Sequence, residues 1–164
     1  MKFAYADPPY YGCASFYKEH PDHKECDTIE WHQDLINQLI NEFDGWALSM
    51  TSGNLHDILP LCPKECRIAA WVKPFASFKP GVNPAYAWEP VVFYGSRKRT
   101  REENTVRDWC SVPITLKKGL IGAKPTEFNQ WICDLLGYRR EEDEFVDLFP
   151  GTGCMSEIIE GRMI

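Results

Sequence analysis

No apolar run in this sequence approaches the roughly 20 residues that a membrane-crossing helix requires. The N-terminus has no basic stretch leading into an apolar one, so no secretion signal is predicted. No Cys-x-x-Cys pair occurs. Seven cysteines, at positions 13, 26, 62, 66, 110, 133 and 154, form an odd set without the spacing of a disulfide framework. They read as reduced thiols in a reducing compartment, which predicts a cytoplasmic protein without membrane association. Positive charge is short as well: 18 Lys and Arg face 24 Asp and Glu, a formal net charge of −6. That balance argues against indiscriminate affinity for nucleic acid. Neither an internal repeat nor a low-complexity stretch is present. What is left is a single domain of 164 residues, long enough to bury a core without staples.

The charge is unevenly spread. Residues 1–60 carry 3 basic against 10 acidic side chains, and residues 125–164 carry 3 against 9. Residues 95–124 reverse the balance, with 8 basic against 3 acidic. This local excess reads either as a phosphate footprint or as a solvated basic loop. On the first reading Arg97, Lys98, Arg99, Arg101, Arg107, Lys117 and Lys118 are candidate nucleic-acid contacts. A second cluster, Cys13 with His20, His23 and Cys26, contains zinc-ligand types, but His-x2-His-x2-Cys matches no common zinc module. A loop beside the site explains it as well, and no metal is expected.

Phe3-Ala4-Tyr5-Ala6-Asp7-Pro8-Pro9-Tyr10 is the stretch with chemistry in it. Five apolar or small residues read as a short buried strand, which the prolines forbid from continuing. Ligands on open α/β sheets bind outside the carboxyl ends of strands, where Asp7 and Tyr10 fall. A strand ending in a proline turn is the plain reading. The chemical one starts from the exocyclic amine of a nucleobase, a poor nucleophile because its lone pair is delocalised into the ring. A carboxylate (Asp7) and a carbonyl freed by proline (Pro8) can accept its two hydrogens and turn the lone pair outward. An aromatic ring (Tyr10) can hold a flipped base by its face.

The remaining elements follow from period and punctuation. Thr28 is positioned to cap a helix in which Ile29, Leu35, Ile36, Leu39, Ile40 and Phe43 recur at helical spacing, with a stop near Gly45. Strands are predicted at 46–50, 67–72 and 91–94, with a further short one at 114–116. Ser52 or Asn54 is expected to cap a short helix running to Leu61. The proline-rich loop 73–90 carries Phe75, Phe78, Tyr86 and Trp88, which either stack on a ligand or cover the core. Lys124-Pro125 leads into a helix whose apolar face is Phe128, Trp131, Ile132, Leu135 and Leu136, ended by Gly137. A last strand, 145–149, runs into Pro150-Gly151-Thr152-Gly153 and a helical start. There backbone N–H groups can face a ligand beside Asp147. Alternating strands and helices predict an α/β sandwich with a largely parallel sheet.

Asp7-Pro8-Pro9-Tyr10 and Asp147-Leu148-Phe149-Pro150-Gly151-Thr152-Gly153, with Lys124-Pro125 ahead of a helix, resemble the motifs of the S-adenosylmethionine (SAM)-dependent DNA amino-methyltransferases that modify adenine N6 or cytosine N4. The catalytic motif comes first and the cofactor motif last, like the circularly permuted members, and Trp88-Glu89-Pro90-Val91-Val92 looks like the segment between them. The resemblance implies a Rossmann-like methyltransferase fold, a mostly parallel sheet with helices on both faces, truncated after the cofactor-binding strand. It implies SAM as cofactor and DNA as partner, in a bacterial cell or phage-infected host. Asp7, Pro8, Pro9 and Tyr10 would be catalytic. Tyr5, Ala6, Asp7, Lys124, Pro125, Asp147, Phe149, Pro150, Gly151, Thr152 and Gly153 would line the cofactor. Residues of about 74–122 would form an inserted substrate-recognition region. Adenine N6 is the expected acceptor. Cytosine N4, an RNA or a protein amide, and a non-catalytic binding subunit remain the alternatives. Because the last strand would leave a bare sheet edge, a homodimer through 145–160 is also expected.

Overall fold

The computed structural model describes residues 1–13, 25–75, 80–115 and 123–161. His20, His23, Phe78, Leu116, Lys117 and Lys118 lie outside the described residues. Among those described, no group of His, Cys, Asp and Glu could hold a metal ion, and no helix is long and apolar enough to cross a membrane.

β1 (Lys2–Ala6) sets the frame. Successive strand side chains alternate in direction, so Phe3 and Tyr5 enter one core while Ala4 and Ala6 enter the other. All four are buried. A strand apolar on both faces belongs inside a sheet covered twice. β1 pairs in parallel with β2 (Gly45–Ser49) on one side and β6 (Glu144–Asp147) on the other. Beyond β2 lie β4 (Trp88–Tyr94), β3 (Arg67–Val72) and β5 (Trp109–Ser111), giving the order β5-β3-β4-β2-β1-β6. β4 pairs antiparallel with both its neighbours, and β3 with β5 in parallel, so β4 alone runs against the rest.

α1 (Ile29–Glu42) covers the Ala4/Ala6 face through Leu35, Ile36 and Leu39. Thr28 caps it as expected, its hydroxyl accepting from the Trp31 amide at 3.3 Å. The helix ends at Phe43, and Gly45 opens β2 instead of stopping α1. α2 (Leu55–Ile58) lies between two 3₁₀ turns, Ser52–Asn54 and Leu59–Leu61. Neither Ser52 nor Asn54 caps it through a side chain; the Asn54 side-chain amide donates to the Tyr11 carbonyl at 3.0 Å. α3 (Thr126–Leu136) and α4 (Cys154–Ile159) cover the Phe3/Tyr5 face. Phe128, Ile132 and Leu136 of α3 have no exposed surface, and each such side chain contributes about 1.5–3 kcal/mol of burial. Gly137 ends α3 in the left-handed region, φ 75°, where its amide reaches the Cys133 and Asp134 carbonyls.

Two strands differ from expectation. β4 starts at Trp88 and takes in Pro90, although proline is disfavoured inside a sheet. The residue facing Pro90 on the β2 side is Met50, one beyond the end of β2, and Met50 still donates to the Pro90 carbonyl at 3.2 Å. The missing N–H therefore costs the ladder a bond only at its frayed end. The strand expected at 114–116 is absent over Ile114 and Thr115; Trp109–Ser111 pairs with Ala70, Trp71 and Val72 instead. The expected recognition region of 74–122 thus donates β4 and β5 to the sheet.

The amino end of the sheet is closed by one charge network. The buried Asp143 carboxylate accepts from the N-terminal ammonium at 2.7 Å, from Arg97 Nη2 at 2.6 and 2.7 Å, and from the Arg139 amide at 2.8 Å. Arg97 Nε also donates to the Gly137 carbonyl at 3.0 Å. Burial pushes the Asp143 carboxyl up, but these donors outweigh it and hold it at about 2. An ordinary Asp titrates near 3.8, so the unfolded chain takes up this proton first. The stabilisation is complete above about pH 4 and is lost as pH falls through about 2. Asp143→Asn should remove that part of the acid-unfolding curve and cost on the order of 2 kcal/mol at neutral pH, read by urea titration at several pH values. Glycine at 95 is also demanded: φ is +67°, and a Cβ there would lie 1.9 Å from the Asp44 carbonyl oxygen. Gly95→Ala should cost more than about 3 kcal/mol. Gly53→Ala, with nothing within 4 Å of the new carbon, should change stability by less than about 0.5 kcal/mol.

Candidate active site

At the carboxyl end of the sheet two acids, two lysines and a tyrosine meet. Asp7 leaves β1, Glu89 lies near the start of the reversed β4, Lys73 follows β3, and Lys124 precedes α3. Lys124 Nζ donates to both Asp7 oxygens, at 2.8 and 2.7 Å, and lies 3.8 Å from Glu89 Oε2. Lys73 Nζ donates to Glu89 Oε1 at 2.8 Å. The Tyr10 hydroxyl has one proton, and Glu89 Oε2 at 2.9 Å is a closer acceptor than Asp7 Oδ1 at 3.3 Å. Its oxygen accepts from Lys124 at 3.2 Å. Lys124 also lies over the rings of Tyr10 and Trp71, at 5.5 and 5.8 Å from their centres. Among the described residues the formal charges of this cluster cancel.

The two lysine side chains are 9% exposed, against 19% for Asp7 and 20% for Glu89. The cations are therefore the more deeply covered, and the two acidic side chains keep more of their surface toward solvent. Burial dominates the Asp7 carboxyl and raises its pKa even against the Lys124 ion pair. Burial raises Glu89 too, but Lys124 and Lys73 together outweigh it, and its pKa is lowered. Burial and the nearby Asp7 and Glu89 carboxylates hold the Tyr10 hydroxyl well above its ordinary value of 10.0, so it stays protonated. Partly buried, ion-paired carboxylates gathered at the carboxyl end of the sheet make this cluster the candidate functional site.

Beside this cluster β6 ends in Asp147, which the strand register sets opposite Tyr5. Its carboxyl is pushed up to about 6, by burial first and by Asp7 to a lesser degree, against the Phe149 amide that donates to it at 3.2 Å. The chain then turns through Pro150-Gly151-Thr152-Gly153, with the Gly153 amide donating to the Pro150 carbonyl at 2.6 Å. Gly153 has φ 76°, and no described residue stands within 4 Å of where its Cβ would be. The glycine serves the backbone conformation and leaves the space above the turn open.

No protein-family model matches this chain, and no curated protein is similar to it in sequence. Solved structures do match. The M1.HpyAVI–SAM complex superimposes at TM-score 0.59 with 15% identity, covering 98% of this chain and 79% of that one. A second M1.HpyAVI structure gives 0.58 and 14%, covering 97% and 75%. TTHA0409 from Thermus thermophilus, described as a candidate DNA modification methylase and complexed with S-adenosyl-L-methionine, gives 0.48 and 16%, covering 98% and 76%. The fold is the Rossmann-like methyltransferase fold.

Within that fold the expected residues divide. Asp7, Tyr10 and Lys124 come together, with Pro8 and Pro9 buried beneath the turn and Pro125 buried at the start of α3. Asp147, Phe149, Pro150, Gly151, Thr152 and Gly153 form the neighbouring turn. Tyr5 and Ala6 are core residues, 3% and 0% exposed, and the Tyr5 hydroxyl is tied to Ser49 Oγ at 2.8 Å. The described part of the basic segment, Arg97, Lys98, Arg99, Arg101 and Arg107, does not join them. β4 runs backwards, so Gly95–Arg97 emerges at the amino end of the sheet, away from Asp7. Arg97 is held by Asp143, Arg99 donates to the Asp134 and Asn104 carbonyls, and Arg107 lies over the Trp109 ring at 5.3 Å. Lys98 and Arg101 are exposed.

Glu89 and Lys73 carry half the charge of the cluster, yet they were not among the expected site residues. The available signal was a carboxylate set inside the apolar run Trp88-Glu89-Pro90-Val91-Val92, where only a partnered acid is tolerated. Removing one partner of such a pair leaves a buried charge, so Lys124→Met should cost about 3 kcal/mol of stability. The double variant with Asp7→Asn should cost less than the sum of the two single changes by at least about 1 kcal/mol, read by urea denaturation.

Proposed function

We propose that this chain transfers a methyl group from SAM to an exocyclic amine of DNA, adenine N6 ahead of cytosine N4, with the target base turned out of the helix. The observation that carries the reading is Asp7, a partly exposed carboxylate at the carboxyl end of the central strand β1, followed by two prolines and Tyr10, in a methyltransferase fold. The turn after β6 fits the cofactor: among the described residues the space above Gly153 is open, and the Asp147 carboxylate, raised to about 6 mainly by burial, stands at its edge. Bound there, SAM supplies an electrophilic methyl on a sulfonium centre. Asp147 would face its positive end, with Gly151, Thr152 and Gly153 around it and Lys124 and Pro125 at the start of α3. The similarity to M1.HpyAVI, which is solved as a SAM complex, supports this choice of cofactor.

The chain's own contribution is positioning. Lys124 uses one lone pair on each Asp7 oxygen, and each oxygen keeps another for an amine hydrogen. The Pro8 carbonyl would take the second hydrogen. Glu89 and Lys124 fix the Tyr10 hydroxyl, so its ring is set to meet a base by its face. Methyl transfer would form the N–CH₃ bond as the sulfonium's S–CH₃ bond breaks and leaves a neutral thioether. The amine nitrogen would then give up one proton, for which Asp7, with its raised pKa and partly exposed side chain, is a route to solvent.

Asp7→Ala separates binding from chemistry. Calorimetry should show SAM affinity within about threefold of the parent, while methyl transfer to DNA falls by a factor of roughly 10² or more, the share of one placed polar group. Turnover near the parent rate would reject the role given to Asp7. A homodimer through 145–160 belongs to the same proposal, because among the described residues β6 is an edge strand of the sheet. Light scattering at micromolar concentration should read twice the 19.0 kDa chain mass; a strict monomer with SAM bound would remove it.

A further inference from the structure

Behind the turn that carries Pro8 and Tyr10 lies a second polar arrangement. His32 of α1 and Asn54 at the start of α2 are 3% and 8% exposed. Both line a cavity of about 10 Å³ together with Pro8, Tyr10, Tyr11 and Ser49. Asn54 Nδ2 donates to the Tyr11 carbonyl, which fixes the orientation of the amide and makes Oδ1 its free end. Oδ1 is buried without a protein partner among the described residues, and so is His32 Nε2. A hydrogen bond to the Cys26 backbone favours a proton on the other ring nitrogen, and burial favours the neutral ring. His32 Nε2 is then an acceptor, like Asn54 Oδ1. Two buried acceptors on residues that line one space are costly unless both are met. A hydroxyl brings one proton, whereas water brings two, and the volume is about that of one water.

We propose that a single water is an integral part of this fold, donating to His32 Nε2 and Asn54 Oδ1. Through it His32 and Asn54 act as positioning residues for the turn from Pro8 to Gly12. Two contacts converge on that turn from behind, the Asn54–Tyr11 bond and the edge-on Tyr11–His32 ring contact at 6.0 Å, and the water ties the two residues that make them to each other. The inference stands whether or not the methyl-transfer reading holds, because it invokes no cofactor and no substrate.

A crystal structure at about 1.5 Å or better should show one water within hydrogen-bond distance of both atoms, and nitrogen NMR should show His32 protonated on Nδ1 with Nε2 accepting. Asn54→Leu removes one acceptor and the Tyr11 bond. It should speed hydrogen exchange about fivefold at the Cys13 amide, which donates to the Tyr10 carbonyl at 2.8 Å, and leave the β1 amides unchanged. His32→Phe, which keeps the ring and the Tyr11 contact, should speed Cys13 exchange to a smaller extent. A dry cavity, a proton on Nε2, or Cys13 exchange unaltered in both variants would overturn the proposal. If neither variant folds, the first two readings on the parent chain decide it.

Discussion

Two carboxylates drawn into the carboxyl end of one sheet cannot stay ionised together unless cations come with them, and this requirement governs the molecule. Asp7 and Lys124 at 2.7 Å attract each other strongly in a partly dry setting, but removing both from water cancels much of that gain. The cluster is therefore better understood as a specification than as a source of stability. It requires a lysine from the start of α3, a lysine from the end of β3, and an acid from a strand that begins where the others end. Only a reversed β4 meets the last condition. A parallel β4 would carry Glu89 to the opposite end of the sheet, leaving Lys73 without its hydrogen-bonded carboxylate and Tyr10 without the acceptor that orients it.

The two ends of the sheet use charge differently. At the amino end, Asp143 is saturated by the N-terminal ammonium, Arg97 and a backbone amide, its pKa is low, and nothing is left for a ligand. At the carboxyl end the cations are the more deeply covered and the acids the more exposed, with Asp7 and Asp147 both raised above ordinary carboxylates. An arrangement with donors exhausted closes a fold. One with acceptors still open is arranged to receive hydrogens or a cation. This contrast, more than the count of ionisable groups, separates the network that closes the fold from the cluster at the candidate site.

Local chemistry explains which parts of this could be read from the sequence. Thr28 ahead of a helical repeat, Gly137 after one, and the apolar run into Asp7-Pro8-Pro9 are signals contained within a few residues, and each appears where expected. Three outcomes depended on neighbours far along the chain. Arg97 reads as a free cation until β4 turns it toward Asp143, 46 residues away. Glu89 reads as the end of a proline-rich loop until β4 extends back to Trp88 and Tyr10, 79 residues distant, meets its carboxylate. Trp109–Ser111, rather than Ile114 and Thr115, pairs with β3 because the Asp108 carbonyl accepts from the Ala70 amide. Strand direction and adjacency are properties of the whole sheet, which no short window contains.

The central claim is that the open carboxylate of Asp7 receives an exocyclic amine of DNA. The direct measurement is incubation of the protein with methyl-labelled SAM and a mixture of duplex DNA, RNA and protein, followed by digestion and separation of the labelled products. The account predicts label in DNA, recovered as N6-methyladenine. Label confined to RNA or protein, or no transfer by a protein that binds SAM, would contradict it.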